Sequence, residues 1–270
     1  GCGNSFMDAG TYPALMESFP KAQGTANIMI KAACSVGQLL FPFLVSFILL
    51  KKFYFGYSFL VLVAILVVNA VIMQRVTFPP LSSKQEEETE EVVVFKGKPN
   101  FWIEGLFLIC IGFTCSITFD TIAKWVPTYA QDIIGMGVGS SSALVSYYSI
   151  GSIISVFVTG FLVKSTIRPV HVVLVYPIVS LAALIGLYMF PSVPVAIVAS
   201  FLIGFFAAGG VLQMTITTMS ELFPKGKGKA VGFINTMNSV AFFAGPAICG
   251  ALAESNAANV ILFDVLVTAV

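Results

Sequence analysis

Long apolar stretches, separated by short polar breaks, run along the whole chain. The stretches are Gly1–Ser18, Thr25–Leu50, Phe53–Val76, Phe101–Tyr129, Ser141–Val163, Pro169–Phe190, Val193–Ser220, Lys229–Ala253 and Ala257–Val270. A helix needs about 20 apolar residues to cross a bilayer, and most of these stretches reach that length. We therefore expect an all-α integral membrane protein. The first and last stretches are short of a span, so we expect a fragment at both ends.

Composition supports a membrane protein over a soluble one. Of the 270 residues, 57% are hydrophobic and 10% are charged, whereas soluble domains average about 45–50% and about 25%. The net charge of +1 gives no reason to expect a nucleic-acid partner. Because no nucleophile–base set or metal-ligand cluster stands out, we expect neither an enzyme nor a bound metal or cofactor.

Basic residues predict the orientation in the membrane. Successive breaks between the stretches fall on opposite sides of the membrane. The breaks on one side hold Lys21, Arg75, Lys84, Lys96, Lys98, Lys164, Arg168, Lys225, Lys227 and Lys229. The breaks on the other side hold Lys51, Lys52 and Lys124. Since cytoplasmic loops carry the excess of Lys and Arg, we expect the segment 77–100 and the loops near residues 21, 164–168 and 225–229 to be cytoplasmic. The membrane is expected to be the plasma membrane.

One break is much longer than the others. Residues 77–100 contain Glu86, Glu87, Glu88, Glu90 and Glu91, a charge pattern typical of a solvated linker. It predicts three parts, which are the remainder of an N-terminal bundle at 1–76, the linker at 77–100 and a C-terminal bundle at 101–270. A regulatory role for the linker is the alternative.

An internal repeat relates the two halves. The segment Glu17–Ala26 matches Glu221–Ala230 at an offset of 204 residues, with Glu, Phe, Pro, Lys, Gly and Ala in common. Six predicted spans lie between the two copies, so both loops face the same side. This is a parallel repeat, of the kind that relates the halves of some transporters by a pseudo-twofold axis. With this repeat, the stretches correspond to helices four to twelve of a protein with two six-helix bundles. We therefore expect that the first three helices and part of the last are not included in this sequence.

At this point the chain resembles the major facilitator superfamily, and within it the fucose permease-like sugar transporters. Asp8–Pro13 resembles that group's fourth-helix motif, acid-x-x-x-Asn-Pro, with Asp in place of Glu and Tyr12 in place of Asn. Trp125–Tyr129 is similar to the Trp-x-x-x-Tyr end of the seventh helix. Gly160–Arg168 resembles a degraded gating-loop motif in which Lys164 replaces Asp. The resemblance implies a proton-coupled sugar carrier in which Asp8 carries the proton.

Charged residues inside predicted spans are the main functional candidates. An acid at the depth of Asp8 is costly and by default marks an ion or substrate path; a structural, hydrogen-bonded acid is the alternative. Lys31 is a candidate for solute contact or for pairing with Asp8, and the alternative is snorkelling to the cytoplasmic surface. Asp120 is a weaker candidate, because an ion pair with Lys124 four residues on is the favoured interpretation.

Uncharged polar residues complete the predicted cavity. The candidates that we expect to hydrogen-bond a solute are Asn4, Gln38, Tyr147, Gln213, Asn235 and Asn238. For each of them alone, a bond between helices is the alternative. Trp125 and Tyr129 are expected either to stack on a sugar ring or to form an aromatic belt at the membrane interface.

These features predict a monomeric symporter in the lipid bilayer that couples a small polar solute, in the class of sugars, to protons. Two bundles would rock around a site near the membrane centre. The alternatives are a proton-coupled exporter of drugs or metabolites on the same fold, and a transporter-like sensor that binds solute without flux.

Overall fold

The structure is a computed structural model that describes residues 11–12, 14–16, 18–19, 22–50, 54, 56–75, 99–165, 167–223 and 227–270. The side chains of residues 38–47, 49–50, 58, 164–165 and 227 are not described. The chain divides into two units, residues 1–32 with 93–270, and residues 33–92. The predicted boundaries at residues 76 and 100 stay a prediction.

The described elements are helices. They are α1 (Gln23–Leu50), α2 (Tyr57–Met73), α3 (Leu106–Asp132), α4 (Val138–Ser165), α5 (Pro169–Met189), α6 (Val193–Ile203), α7 (Val211–Leu222), α8 (Lys227–Ser255) and α9 (Ala257–Thr268). One turn of π-helix, Phe101–Gly105, precedes α3, and another, Gly204–Ala208, follows α6. No strand occurs among the described residues.

Five helical segments in the described part of the chain are long and apolar enough to cross a membrane. They are Phe101–Asp132, Val138–Val163, Pro169–Met189, Val193–Leu222 and Gly228–Ser255. Phe59–Met73 and Ala257–Thr268 are shorter apolar helices. The prediction of an all-α membrane protein is confirmed, with helix ends a few residues beyond those predicted, as at Val138 and Asp132.

The segment that leads into α3 begins with a capping box. The Asn100 side chain accepts a hydrogen bond from the Trp102 amide at 3.0 Å, and Glu104 Oε2 accepts one from the Asn100 amide at 2.8 Å. Both bonds satisfy amide groups that have no partner within the helix. Glu104 is therefore accounted for by local structure at the helix start.

The predicted span Val193–Ser220 is a broken helix rather than a continuous one. It consists of α6, the π turn Gly204–Ala208, and α7. Gly210 connects the pieces with a φ of 123°, which a residue with a side chain rarely adopts. The Ser155 hydroxyl of α4 donates to the Gly209 carbonyl at 3.1 Å, so the break is stabilised from a neighbouring helix.

Two apolar clusters hold the larger unit together. The first lies near the start of α3 and includes Leu108, Ile28 of α1, Met214 of α7 and Ile234 of α8. The second lies near the end of α3 and joins it to α4, α5, α6 and α9, through residues such as Ile122, Leu144, Leu184, Ile203 and Ile261. Large apolar side chains such as Phe161, Ile178 and Phe243 stay exposed on the outside, as a lipid-facing surface requires.

Candidate solute site

Lys31 is directed toward α3. Its Nζ lies 5.6 Å from the centroid of the Phe119 ring, within the range of a cation–π contact. Phe119 lies near the middle of α3 and packs edge-to-face on Phe242 of α8, with ring centroids 5.4 Å apart. The Lys31 ammonium is thus held over an aromatic ring at mid-helix instead of snorkelling to the end of its own helix.

Asn27 lies one turn before Lys31 and is completely buried. Its Nδ2 donates to Thr217 Oγ1 at 2.9 Å and to the Gln213 carbonyl at 3.1 Å, both on α7. Its Oδ1 has no hydrogen-bond partner within the described ranges of the chain. A Cβ at Gly24 would lie 2.8 Å from Val163 Cγ1, so the missing side chain lets α1 approach α4. Asn27 is therefore a polar link between α1 and α7.

The interface between α3 and α8 supplies a second polar pair. The Ser116 hydroxyl, fully buried, lies 2.8 Å from Asn238 Oδ1 and donates to it. A Cβ at Gly112 would be 3.2 Å from Ile234 Cγ2, so the missing side chain lets α8 approach α3. Asn238 and Lys31 both contact α3 within about one helical turn, Asn238 at Ser116 and Lys31 at Phe119.

Four buried amide atoms have no hydrogen-bond partner among the described residues. They are Gln23 Oε1, Asn27 Oδ1, Gln213 Oε1 and Asn235 Nδ2. Buried polar atoms normally have partners, so three acceptors and one donor are left for a hydroxyl-bearing ligand, for water or for residues outside the described ranges. Gln213 and Asn235 are two of the residues predicted from sequence to bind solute.

Other predicted residues have structural partners. Asp120 and Lys124 form the expected ion pair, with 2.7 Å between Asp120 Oδ1 and Lys124 Nζ. The Tyr129 hydroxyl is buried and donates to the Leu187 carbonyl at 2.9 Å, which places Tyr129 neither in an interfacial belt nor on a solute surface. Tyr147 is 40% exposed, whereas its neighbour Tyr148 is buried and donates to the Phe119 carbonyl at 3.1 Å.

Three predicted site residues lack described side chains. Asn4 and Asp8 lie outside the described residues, and only the backbone of Gln38 is described. The proton-carrying role of Asp8 therefore stays a prediction.

Two buried polar residues were not assigned from sequence. Asn27 was not predicted, although an amide one turn from Lys31 in an apolar helix is the signal that would have identified it. The sequence gives Asp264 no role, because its predicted stretch is short of a span; the structure buries it completely. In the described part of the chain, no group of three His, Cys, Asp or Glu side chains is placed to hold a metal ion.

Comparison with known proteins identifies relatives along the whole chain. The family model of the Major Facilitator Superfamily matches residues 1–254. The chain is 37% identical over 270 residues to the inner membrane transport protein YdiM of Escherichia coli (strain K12), covering 100% of this chain and 67% of that protein. It is 39% identical to the uncharacterized MFS-type transporter YfkL of Bacillus subtilis (strain 168), covering 98% of this chain and 67% of that protein.

Among solved structures, the chain is similar to the transporter FucP in the outward conformation. The TM-score is 0.75 at 15% sequence identity, over 97% of this chain and 70% of that one. Likeness at this identity concerns the fold. Relative to YdiM and YfkL, the chain spans about two thirds of their length, 67% of each.

Proposed function

This chain belongs to the Major Facilitator Superfamily, and we propose that the transporter containing it is a symporter that couples a small polar solute, in the class of sugars, to protons. Its two bundles would work by alternating access around a site near the membrane centre. The protein would act as a monomer in the plasma membrane. The segment 77–100 and the loops near residues 21, 164–168 and 225–229 would face the cytoplasm.

The observation that carries this proposal is a set of buried amide groups on α1, α7 and α8. Asn27 Oδ1, Gln213 Oε1 and Asn235 Nδ2 are buried and have no partner among the residues that the structure describes. Their mixture of acceptors and a donor suits a neutral solute with several hydroxyl groups, which offers both. A site that hydrogen-bonds hydroxyls discriminates strongly against solutes that lack them, because its own polar groups would then stay unpaired.

Lys31 and Phe119 add a second element of recognition. An aromatic ring beside a cation provides an apolar face and a donor, which together fit the apolar face and the hydroxyl edge of a sugar ring. Since Nζ lies over the ring at 5.6 Å, a solute that enters here would compete for the ammonium group. We propose that Lys31 is a solute contact and that Asn238, bonded to Ser116, supports the α8 side of the site.

Coupling to protons is proposed for Asp8. A carboxyl group in a membrane helix is costly when charged, so protonation would let the loaded carrier reorient. A fold neighbour is described as the fucose:proton symporter FucP of E. coli, and its similarity to this chain, 14% identical in sequence, supports the fold required for such coupling.

The test uses a full-length carrier containing this sequence, reconstituted in proteoliposomes. Internal pH is followed while a panel of sugars is added to the outside, for the parent protein and for Asp8→Asn. We expect sugar-induced acidification in the parent. In Asp8→Asn we expect no acidification but continued exchange of labelled sugar, because exchange does not require release of the proton.

A carboxyl control is available at Glu254, which is exposed near the end of α8. Glu254→Gln should retain acidification. Unaltered acidification in Asp8→Asn would remove Asp8 from the proposal. Efflux driven by an inward proton gradient would instead identify an exporter, and solute binding without any flux would identify a sensor.

A further inference from the structure

A small cavity lies inside the larger unit, between α3, α5, α7 and the end of α9. Its volume is about 20 Å³, and a single water needs roughly 10–15 Å³. Hydroxyl groups line it, on the side chains of Thr114, Thr118, Ser180 and Thr268. None of the residues proposed to contact solute belongs to this lining, so the cavity is separate from the candidate solute site.

Ser180 is the lining residue whose hydroxyl lacks a partner. The residue is 1% exposed, and its Oγ has no hydrogen-bond partner among the residues that the structure describes. A buried serine in a helix commonly donates to the carbonyl one turn back, as Ser220 on α7 does to the Ile216 carbonyl at 2.9 Å. Because buried polar groups normally have a partner, the Ser180 hydroxyl needs one that can occupy the cavity it lines.

The walls opposite Ser180 offer oxygen acceptors on α3 and α9. Thr114 donates its hydroxyl hydrogen to the Ile111 carbonyl at 3.2 Å, which leaves lone pairs on its oxygen. The hydroxyl oxygens of Thr118 and Thr268 lie 2.7 Å apart. One hydrogen joins these two oxygens, so the pair keeps acceptor capacity as well. One donor and several acceptors around the cavity match the roughly three hydrogen bonds that a buried water makes.

The rest of the lining excludes a larger or charged ligand. It carries no charged side chain, and a buried ion without a counter-charge is costly. The Cys115 thiol is already used, because it donates to the Ala207 carbonyl at 3.3 Å. The remaining walls are formed by Pro177, Phe206, Ala207 and Val211. A neutral molecule with one heavy atom and both donor and acceptor capacity therefore fits this space, and water has these properties.

We propose that this cavity binds one water molecule, which joins α5 to α3 and α9 inside the larger unit. The water accepts a hydrogen bond from the Ser180 hydroxyl and donates to the threonine oxygens on the opposite walls. It thereby replaces a direct bond that Ser180 does not make to either helix. The role of this water is to stabilise the packing of these helices, and it depends neither on the solute carried nor on the coupling ion.

The first test is a high-resolution structure of the full-length carrier in lipid, for the parent and for Ser180→Val. Valine removes the hydroxyl and adds a second branch that fills the cavity. In the parent we expect one density peak within about 2.5–3.0 Å of Ser180 Oγ and of a threonine hydroxyl oxygen. In Ser180→Val we expect none. A well-resolved cavity without a peak in the parent, or an unchanged peak in Ser180→Val, would overturn the proposal.

The second test compares melting temperatures of Ser180→Ala and of a matched control, Ser200→Ala. Ser200 on α6 is 0% exposed and its hydroxyl also has no partner in the described ranges, but it does not line this cavity. Ser180→Ala loses the bond to water, so its melting temperature should fall by about 1–3 °C. Ser200→Ala loses a hydroxyl that makes no bond, so its melting temperature should not fall.

Equal shifts in the two alanine variants would contradict a water at Ser180. Stabilisation of the parent by Na⁺ but not by K⁺, lost in Ser180→Ala, would also overturn the proposal, because the cavity would then hold a metal ion. If either alanine variant does not fold, the density in the parent still decides. No readout here requires transport, so failure of this proposal leaves the proposed symport unaffected.

Discussion

The bond between Asn27 and Thr217 leads to a quantitative prediction about the coupling of α1 to α7. Asn27 is fully buried and donates to Thr217 Oγ1 at 2.9 Å and to the Gln213 carbonyl at 3.1 Å. The Thr217 hydroxyl in turn donates to that same carbonyl at 2.8 Å. Replacing Asn27 therefore removes two bonds between helices, but leaves the Gln213 carbonyl with a partner.

The expected magnitude follows from bonds of this kind in membranes. Hydrogen bonds between transmembrane helices contribute about 0.6 kcal/mol on average and at most about 1.7 kcal/mol. For two bonds, Asn27→Ala should lower the free energy of unfolding by about 1–2 kcal/mol. Asn27 Oδ1 has no partner among the described residues, and its loss offsets part of this, since a buried polar atom without a partner is itself unfavourable. The pairwise coupling of Asn27 with Thr217 should be about 0.5–1.5 kcal/mol.

A double-mutant cycle measures that coupling, with unfolding followed in bicelles for Asn27→Ala, Thr217→Val and both together. Thr215→Val is the matched control. Thr215 is equally buried on α7 and its hydroxyl donates to a carbonyl one turn back at 2.9 Å, as that of Thr217 does at 2.8 Å. Asn27 should couple to Thr217 and not to Thr215. Additive effects for Thr217, or equal coupling to both threonines, would refute the assignment of Asn27 as a link between helices.

Two further predictions concern packing and surface charge. A Cβ at Gly204 would overlap the backbone carbonyl of Tyr148, whereas nothing in the described structure lies within 4 Å of a Cβ at Gly186. Gly204→Ala should therefore lower the unfolding free energy by about 1–3 kcal/mol. Gly186→Ala should raise it by about 0.5–1 kcal/mol. A thermal shift assay on both variants checks this, and equal destabilisation would contradict it. Lys124→Met should cost less than about 1 kcal/mol at low salt and nothing at high salt, because the Lys124 side chain is 54% exposed in its pair with Asp120; melting temperatures at both salt concentrations check this, and a larger, salt-independent loss would show that the pair is structurally important.

The helices themselves could be predicted because the signal is local. In lipid every backbone polar group must form a hydrogen bond within the segment. A long apolar run such as Pro169–Phe190 is therefore expected to form a helix. Spacing along a helix is equally local, which is why Asp120 and Lys124 could be paired from sequence. The parallel repeat between Glu17–Ala26 and Glu221–Ala230 indicated the transporter family, and the relatives confirm this family.

The interior of the site could be predicted only in part. Gln213 and Asn235 were predicted to bind solute, and each has a buried amide atom without a partner in the described part of the chain. Asn238 was expected to bind solute, and the structure shows it bonded to Ser116. The sequence pattern gives no means of separating these cases, because both are polar residues on apolar helices and differ only in what the neighbouring helix places opposite them.

By itself, the sequence determined that this is a helical membrane protein of two related halves, since hydropathy, segment length and the repeat are properties of the chain alone. Only the tertiary structure decided that the segment 193–220 breaks at Gly204–Gly210, that Lys31 lies over Phe119, and that Asp264 is completely buried. The physical reason is that these features depend on contacts between helices. In a bundle whose outside is as apolar as its core, the hydrophobic pattern does not show which face of each helix turns inward.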